Sequence, residues 1–347
     1  MCYLYENDVA KSYLQNQHCY VWLLKGGILA VSTHPHAPKI AVIGAGFVGS
    51  SFAYSLMIHG TVSEIVLIDV DKKRAEGEAM DLNHGVSFVQ PVRVWAGDYQ
   101  DCQDADIVVI TAGLAQKPGE SRLDLVTSNV EIFRQIIPEI KEYNRTGIIL
   151  VATNPVDLMT YAALKLSGFP SSRVIGSGTI LDTSRLRYVL GEHLKVDPRN
   201  IHAYIIGEHG DSEVPAWSLA SVAGTRLKDY GAVLGQGLDD TYLNSIFEQV
   251  KNAAYQIIEL KGRTYYAIGL GLTRIVESII RDENAILTVS SMLHDYYGVD
   301  DICLSVPTIV NRNGVREVLK LPLTDEEIMK FRNSASALKN MAKSLIL

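Results

Sequence analysis

Residues 39–49 read KIAVIGAGFVG. A short apolar, β-branched run ends in Gly44, Gly46 and Gly49, and a helical pattern follows at 47–59. G-x-G-x-x-G is weak evidence alone, because glycine is common. Between a strand and a helix it acquires a mechanism. The glycines permit a tight turn, a close approach of backbone to a pyrophosphate, and close helix–strand packing, with the helix N-terminus facing the phosphates. Twenty residues beyond Gly49, at the end of a second apolar run (EIVLIDV, 64–70), stands Asp69. A carboxylate there accepts both ribose hydroxyls of a dinucleotide and repels a 2′-phosphate, so the pattern implies NAD rather than NADP. Lys72, Lys73 and Arg74 follow; they either soften that preference or simply begin a solvated helix.

The alternation continues beyond this unit. Further apolar strands are expected at 92–97, 106–113 and 147–154, with helices at 72–82 and 126–144. Strands this apolar on both faces belong in a parallel sheet covered on both sides. The first half therefore reads as a doubly wound α/β (Rossmann) domain, 39–178. After about residue 155 the texture changes. Helical patterns at 239–260 and 264–281 precede alternating strands at 285–299 and 301–315, with Asn313-Gly314 as the expected hairpin turn. A last helix spans 324–343, with Thr324 as N-cap and Glu327 completing a capping box. Residues 179–347 thus read as a mixed α+β substrate domain, and 1–38 as an N-terminal extension.

At 347 residues, with 47 % apolar and 20 % charged residues, the chain is neither disordered, collagen-like nor a coiled coil. A formal net charge of -7 speaks against nucleic acid as a partner. The four cysteines (Cys2, Cys19, Cys102, Cys303) show no CxxC spacing and read as reduced thiols of a cytoplasmic protein. No run of 18 apolar residues exists, so no membrane helix is expected. No metal site is expected either: Glu208-His209 lacks the HExxH partner, and His34-x-His36 stands alone.

A Rossmann domain specifies a dinucleotide and not a reaction. The second half offers the glycine-flanked GEHGD (207–211), with His209 at its centre, after a short apolar strand expected at 203–206, and GTILDTSR (178–185), where Asp182 and Arg185 share a helix face. An acid–base histidine needs a carboxylate to fix its tautomer and raise its pKa, and a substrate carboxylate needs a bidentate arginine. Taken singly, His209 reads equally as a structural histidine, and Asp182–Arg185 as an intrahelical ion pair.

Five motifs in order, GAGFVG, QKPGESR (116–122), VATNPVD (151–157), GTILDTSR and GEHGDSE (207–213), resemble L-lactate dehydrogenases of the bacterial type, within the lactate/malate dehydrogenase superfamily. The resemblance runs from about Lys39 to the C-terminus. It implies that His209 is the proton donor and acceptor, Asp182 its carboxylate partner, and Arg185 the grip on the substrate carboxylate. QKPGESR resembles the mobile loop that closes over the site and expels water, with Arg122 polarising the ketone. Asn154 would bond the substrate oxygen and lie beside the cofactor. Gly44, Gly46, Val48, Gly49, Asp69, Arg74, Tyr99, Gly113 and Leu114 match cofactor-contacting positions, and Ile268 would press on the nicotinamide. The implied reaction is the NADH-dependent reduction of pyruvate to L-lactate.

Malate dehydrogenases are the nearest alternative, with other L-2-hydroxy acid dehydrogenases of the same superfamily behind them. The malate dehydrogenases carry arginine where this chain has Gln116, and a neutral Gln116 would leave a second substrate carboxylate buried and unpaired. Thr264 matches the residue that closes the small side-chain pocket of lactate dehydrogenases. Arg187 lies two residues past Arg185, about 200° away on a helix, so it serves a different surface. Arg187 and His202 match the positions that bind fructose 1,6-bisphosphate across a subunit interface of bacterial lactate dehydrogenases. The resemblance thereby implies a bisphosphate activator and a homotetramer.

The N-terminal thirty residues exceed what the resembled family usually carries. Lys25-Gly26-Gly27 is encodable as AAAGGAGGN, a ribosome-binding sequence, three codons before Val31, and GTG is a usable start. The expectation is that residues 1–30 are untranslated leader; a real arm and a targeting peptide are the alternatives, which intact mass of the native protein separates.

Overall fold

The computed structural model describes residues 20–24, 27–32, 37–115, 122–233, 235 and 237–345. Strands β1 (Tyr20–Leu24) and β2 (Gly27–Ser32) form an antiparallel hairpin of their own. Most of the suspected leader, together with Cys2, Cys19, His34 and His36, lies outside the described residues.

From Lys39 the chain alternates. It runs β3 (Lys39–Ile43), α1 (Phe47–His59), β4 (Glu64–Ile68), α2 (Lys72–His84), β5 (Arg93–Ala96) and β6 (Ile107–Ile110). It continues through α3 (Arg122–Tyr143), β7 (Ile148–Val151), α4 (Val156–Ser167) and β8 (Val174–Gly176). All six strands from β3 to β8 pair in parallel, and β6 and β7 are buried at every position, as their unbroken apolar sequences require.

The remainder opens with α5 (Ile180–Leu194), followed by the two-residue strands β9 (Ile201–His202), β10 (Ile205–Ile206), β11 (Val214–Pro215), β12 (Ser221–Val222) and β13 (Thr225–Arg226). Helices α6 (Leu227–Val233), α7 (Asp240–Lys261) and α8 (Tyr266–Ile280) lead to strands β14 (Ala285–Leu293), β15 (Ile302–Asn311) and β16 (Gly314–Val318). Helix α9 (Asp325–Ser344) closes the chain, and its capping box is present: Glu327 N–H donates to Thr324 Oγ1, and Thr324 N–H to Glu327 Oε2.

Strands β14 to β16 do not form a separate sheet. They add antiparallel to the parallel sheet in the order β16-β15-β14-β8-β7-β6-β3-β4-β5, through the Ser290–Gly176 pair. Helix α8 in turn covers α1. The two helices lie so close that a Cβ on Gly269 would come 3.2 Å from the Phe52 nitrogen. Leu272, Ile275, Val276 and Ile279 of α8 share one core with Phe52 and Leu56 of α1.

Two local expectations need correction. The β15–β16 turn residues are Arg312 and Asn313, because Asn311 already pairs with Gly314. Gly314 is needed for another reason: its φ is +88°, and a Cβ there would lie 2.0 Å from the Ser172 carbonyl oxygen. The apolar run 203–206 is a strand only at Ile205–Ile206, since β9 turns away to pair with β12. Among the described residues no helix is long and apolar enough to cross a membrane, and no cluster of metal-ligating side chains occurs. Cys102 and Cys303 are buried free thiols.

Candidate active site

The glycine turn between β3 and α1 is built as a cradle. Gly44 has φ +102°, and a Cβ on it would lie 2.6 Å from the Ala112 nitrogen. A Cβ on Gly49 would fall 1.9 Å from the Gly44 carbonyl oxygen, so α1 can approach the turn only through glycine. Gly46 faces open space, and as N-cap of α1 it offers no side chain to the first-turn N–H groups. Those groups and the helix dipole are left for an anion. Asp69 is fastened to this cradle: its Oδ2 accepts from Ala45 N–H at 2.6 Å and its Oδ1 from Asp71 N–H at 2.9 Å. The geometry suits a dinucleotide, with phosphates over Gly46 and a ribose beside Asp69.

The other cofactor candidates surround the turn less closely. Arg74 lies 5.7 Å from the Phe47 ring centroid. Leu114 is half exposed, with its N–H donating to Asn129 Oδ1 at 2.8 Å. Gly113 packs against Thr153, where a Cβ would meet the methyl at 2.3 Å. Tyr99 is partly buried behind β5, and burial pushes its phenol up to about 12. Val48 and Ile268 pack on the core shared by α1 and α8.

Asp182, in the first turn of α5, receives two partners. Arg185 Nη1 donates to its Oδ1 at 2.8 Å, and His209 Nδ1 lies 2.5 Å from its Oδ2. The i, i+3 spacing puts both α5 side chains on one face. The helix is locked against β10, because Thr179 Oγ1 donates to the Ile205 carbonyl and Ile205 N–H to Thr183 Oγ1. The His209 loop is held from below as well. Its N–H donates to Asp157 Oδ2 at 2.7 Å, and Ser290 of β14 donates to Asp157 Oδ1 at 2.6 Å.

These contacts set the protonation states. Burial disfavours the His209 imidazolium, but the Asp182 carboxylate outweighs it and the pKa stands at about 9. Burial alone would raise Asp182, yet His209 and Arg185 hold its carboxyl below the ordinary value. Burial pushes Asp157 up to about 6 against the hydrogen bonds from Ser290 and His209. A cavity of about 250 Å³ is lined by Asn154, Asp182, Arg185, His209, Glu213 and Lys251, among others. A protonated imidazole and a guanidinium thus face one small space, able to bind a carboxylate and protonate a neighbouring oxygen.

Not every candidate meets there. Thr264, between α7 and α8, does not line this cavity, and neither does Ile268. Gln116 lies outside the described residues; Arg122 begins α3, but its side chain does too. Arg187 points to the opposite side of α5 from Arg185, as the helical angle requires. It lines a second cavity of about 410 Å³ with Arg199 and Arg274, and its Nε donates to the carbonyl of Ala203, the neighbour of exposed His202. Sequence reasoning did not single out Asp157, Ser290 or Glu213. Asp157 had a signal, a carboxylate one residue inside an otherwise apolar helix start.

Two family models match almost end to end: lactate/malate dehydrogenase, NAD binding domain, over residues 38–176, and lactate/malate dehydrogenase, alpha/beta C-terminal domain, over 179–346. The chain belongs to the lactate/malate dehydrogenase family. Within it, the chain is similar to an L-lactate dehydrogenase of Acetivibrio thermocellus, 59 % identical over 88 % of this chain and 97 % of the relative. It is 56 % identical to L-lactate dehydrogenase 1 of Clostridium acetobutylicum, over 88 % and 98 % of the two chains. A crystal structure of the minor L-lactate dehydrogenase from Enterococcus mundtii, in a ligand-bound form, superposes with a TM-score of 0.87 at 47 % identity, covering 90 % of this chain and 99 % of that one. The chain is therefore an NAD-binding dehydrogenase of this family.

Proposed function

We propose that the chain is an L-lactate dehydrogenase that reversibly reduces pyruvate to L-lactate with NADH. The single observation that carries the residue assignment is the convergence of His209, Asp182 and Arg185 on one cavity. When bound, NADH would supply the hydride that the carbonyl carbon of pyruvate takes up. His209 gives its proton to the ketone oxygen, and Asp182 keeps that imidazole charged and correctly turned. Arg185 binds the substrate carboxylate as a bidentate partner. Arg122 stabilises the developing oxyanion, Asn154 bonds the substrate oxygen, and Thr264 with Gln116 limits the side-chain pocket. The cofactor is held by Gly44, Gly46, Val48, Gly49, Asp69, Arg74, Tyr99, Gly113, Leu114, Asn154 and Ile268. The cofactor half is 39–178 and the substrate half 179–347, and the protein works in the cytoplasm.

The test is the ratio of kcat/KM for pyruvate to that for oxaloacetate. A large preference for pyruvate is expected; a preference for oxaloacetate makes the chain a malate dehydrogenase. Gln116→Arg is expected to reverse the order of the two efficiencies, because it pairs the second carboxylate and leaves a buried cation unpaired over pyruvate. A variant that still prefers pyruvate removes Gln116 as the discriminator.

Arg187 and His202 form the bisphosphate site of a homotetramer in this reading. The support for Arg187 is the second cavity, which it lines beside Arg199 and Arg274 and where burial lowers its pKa; His202 lies outside that lining, on the neighbouring strand β9. Fructose 1,6-bisphosphate is expected to lower the pyruvate half-saturation about 5- to 150-fold near neutral pH, and Arg187→Gln to abolish the effect. Identical saturation curves with and without the bisphosphate overturn the assignment.

A further inference from the structure

The wall of the catalytic cavity contains a carboxyl group that the reaction above does not use. Glu213 is only 7 % exposed, lines the same cavity as His209 and Arg185, and its Oε1 is buried without a hydrogen-bond partner. Its backbone is pinned: its N–H bonds to the Gly210 carbonyl, and the next residues form β11 against β10. An ionised carboxylate held with a bare, buried oxygen is costly; a neutral acid is much less so.

The charges facing Glu213 come from three sides. Asp182 and Arg185 project from α5, His209 and Asp211 from its own loop, and Lys251 from α7, where Tyr255 donates to Asp211. With His209 protonated, three cations stand against the carboxylates of Asp182 and Asp211. If Glu213 is neutral, a single positive charge is left over among these described lining groups. A keto monoacid brings one negative charge, which an ionised Glu213 in the same wall repels and a neutral one does not. Burial, with Asp182 adding to it and His209, Arg185 and Lys251 opposing, pushes the Glu213 carboxyl up to about 8.

We propose that Glu213 is a positioning residue that sits in the cavity wall as a neutral carboxylic acid while the keto acid binds, and that its ionisation shuts the cavity to carboxylate substrates at alkaline pH. This rests on the keto-acid reading of the site. Two protons, one on His209 and one on Glu213, must then be in place for binding. As the pH rises through about 8 and then about 9, both are lost, and affinity falls more steeply than one titration allows.

The probe is oxamate, the unreactive isostere of pyruvate, titrated calorimetrically into the NADH complex in buffers of different ionisation enthalpy. At about pH 9 the wild-type protein is expected to take up more than one proton per oxamate bound, and Glu213→Gln at most one. At the same pH the glutamine variant is expected to bind oxamate about tenfold more tightly, a gain that general damage does not produce. Equal proton uptake in the two proteins, or weaker binding by the variant, overturns the proposal. A readout independent of any variant is the infrared spectrum of the wild-type NADH complex. A carboxylic-acid band present near neutrality and gone by about pH 9 is expected, and its absence overturns the proposal. Failure of wild-type protein to bind oxamate even at about pH 6.5 overturns instead the keto-acid reading on which the proposal stands.

Discussion

Replacing His209 with glutamine lowers kcat/KM for pyruvate about a hundred- to ten-thousandfold, the usual worth of a positioned general acid. Glutamine keeps a donor in the cavity but has no proton to give at any accessible pH. Steady-state NADH oxidation measures the loss, and a drop of less than tenfold would remove His209 from the chemistry. The companion variant Asp182→Asn carries a sign as well as a size. Pyruvate reduction needs the imidazolium, which in the wild type persists up to about pH 9. The protonated form is present below that value and is lost as the pH rises through it. Without the Asp182 carboxylate the raised pKa has lost its cause, so the alkaline limb moves down toward the ordinary histidine value of about 6.5. An alkaline limb that stays in place in Asp182→Asn shows that another group produces it.

Arg185→Leu is the second large effect. The variant leaves the substrate carboxylate in the cavity without its partner, a loss of about 2–5 kcal/mol in such pairs. That corresponds to a rise of about thirty- to five-thousandfold in the KM for pyruvate. Because the same contact is made in ground and transition states, kcat falls much less. Arg185→Lys recovers only part of the loss, since an ammonium cannot form the two parallel bonds of a guanidinium. Should kcat fall while KM holds, the arginine acts on the reacting oxygen and not on the carboxylate.

The parts of this protein that sequence makes legible are those where one residue type has one physical use. The glycine turn is one: Gly44, Gly46 and Gly49 meet three different spatial demands, and each is visible as a contact that a Cβ would break or leave open. The α1 boundaries follow from its flanking glycines, and the α9 start from the reciprocal Thr324–Glu327 bonds. The convergence of His209 with Asp182 is legible only through the family resemblance, because 27 residues separate them and nothing local joins them. The sharing of one sheet by both halves escaped the sequence entirely. Strand β15 and the last six residues of β14 are almost wholly buried on both faces, and alternation does not say which edge they join. Asp157 and Ser290 escaped for the same reason, being 133 residues apart and joined only where the sheet halves meet.

That seam has a consequence for how the chain is made. Synthesis delivers β8 well before its neighbour: Gly176 and its pairing partner Ser290 are 114 residues apart in sequence. At about 5–20 residues per second, on the order of ten seconds of translation separates them. Throughout that interval the edge of β8 is unpaired and the flank of α1 that receives α8 is bare. A nascent chain in that state presents a strand template beside an apolar helix face, the combination that invites wrong pairing. The parallel half of the sheet is thus translated first but completed last, and the span of sequence from 176 to 290 sets how long its edge stands open on the ribosome.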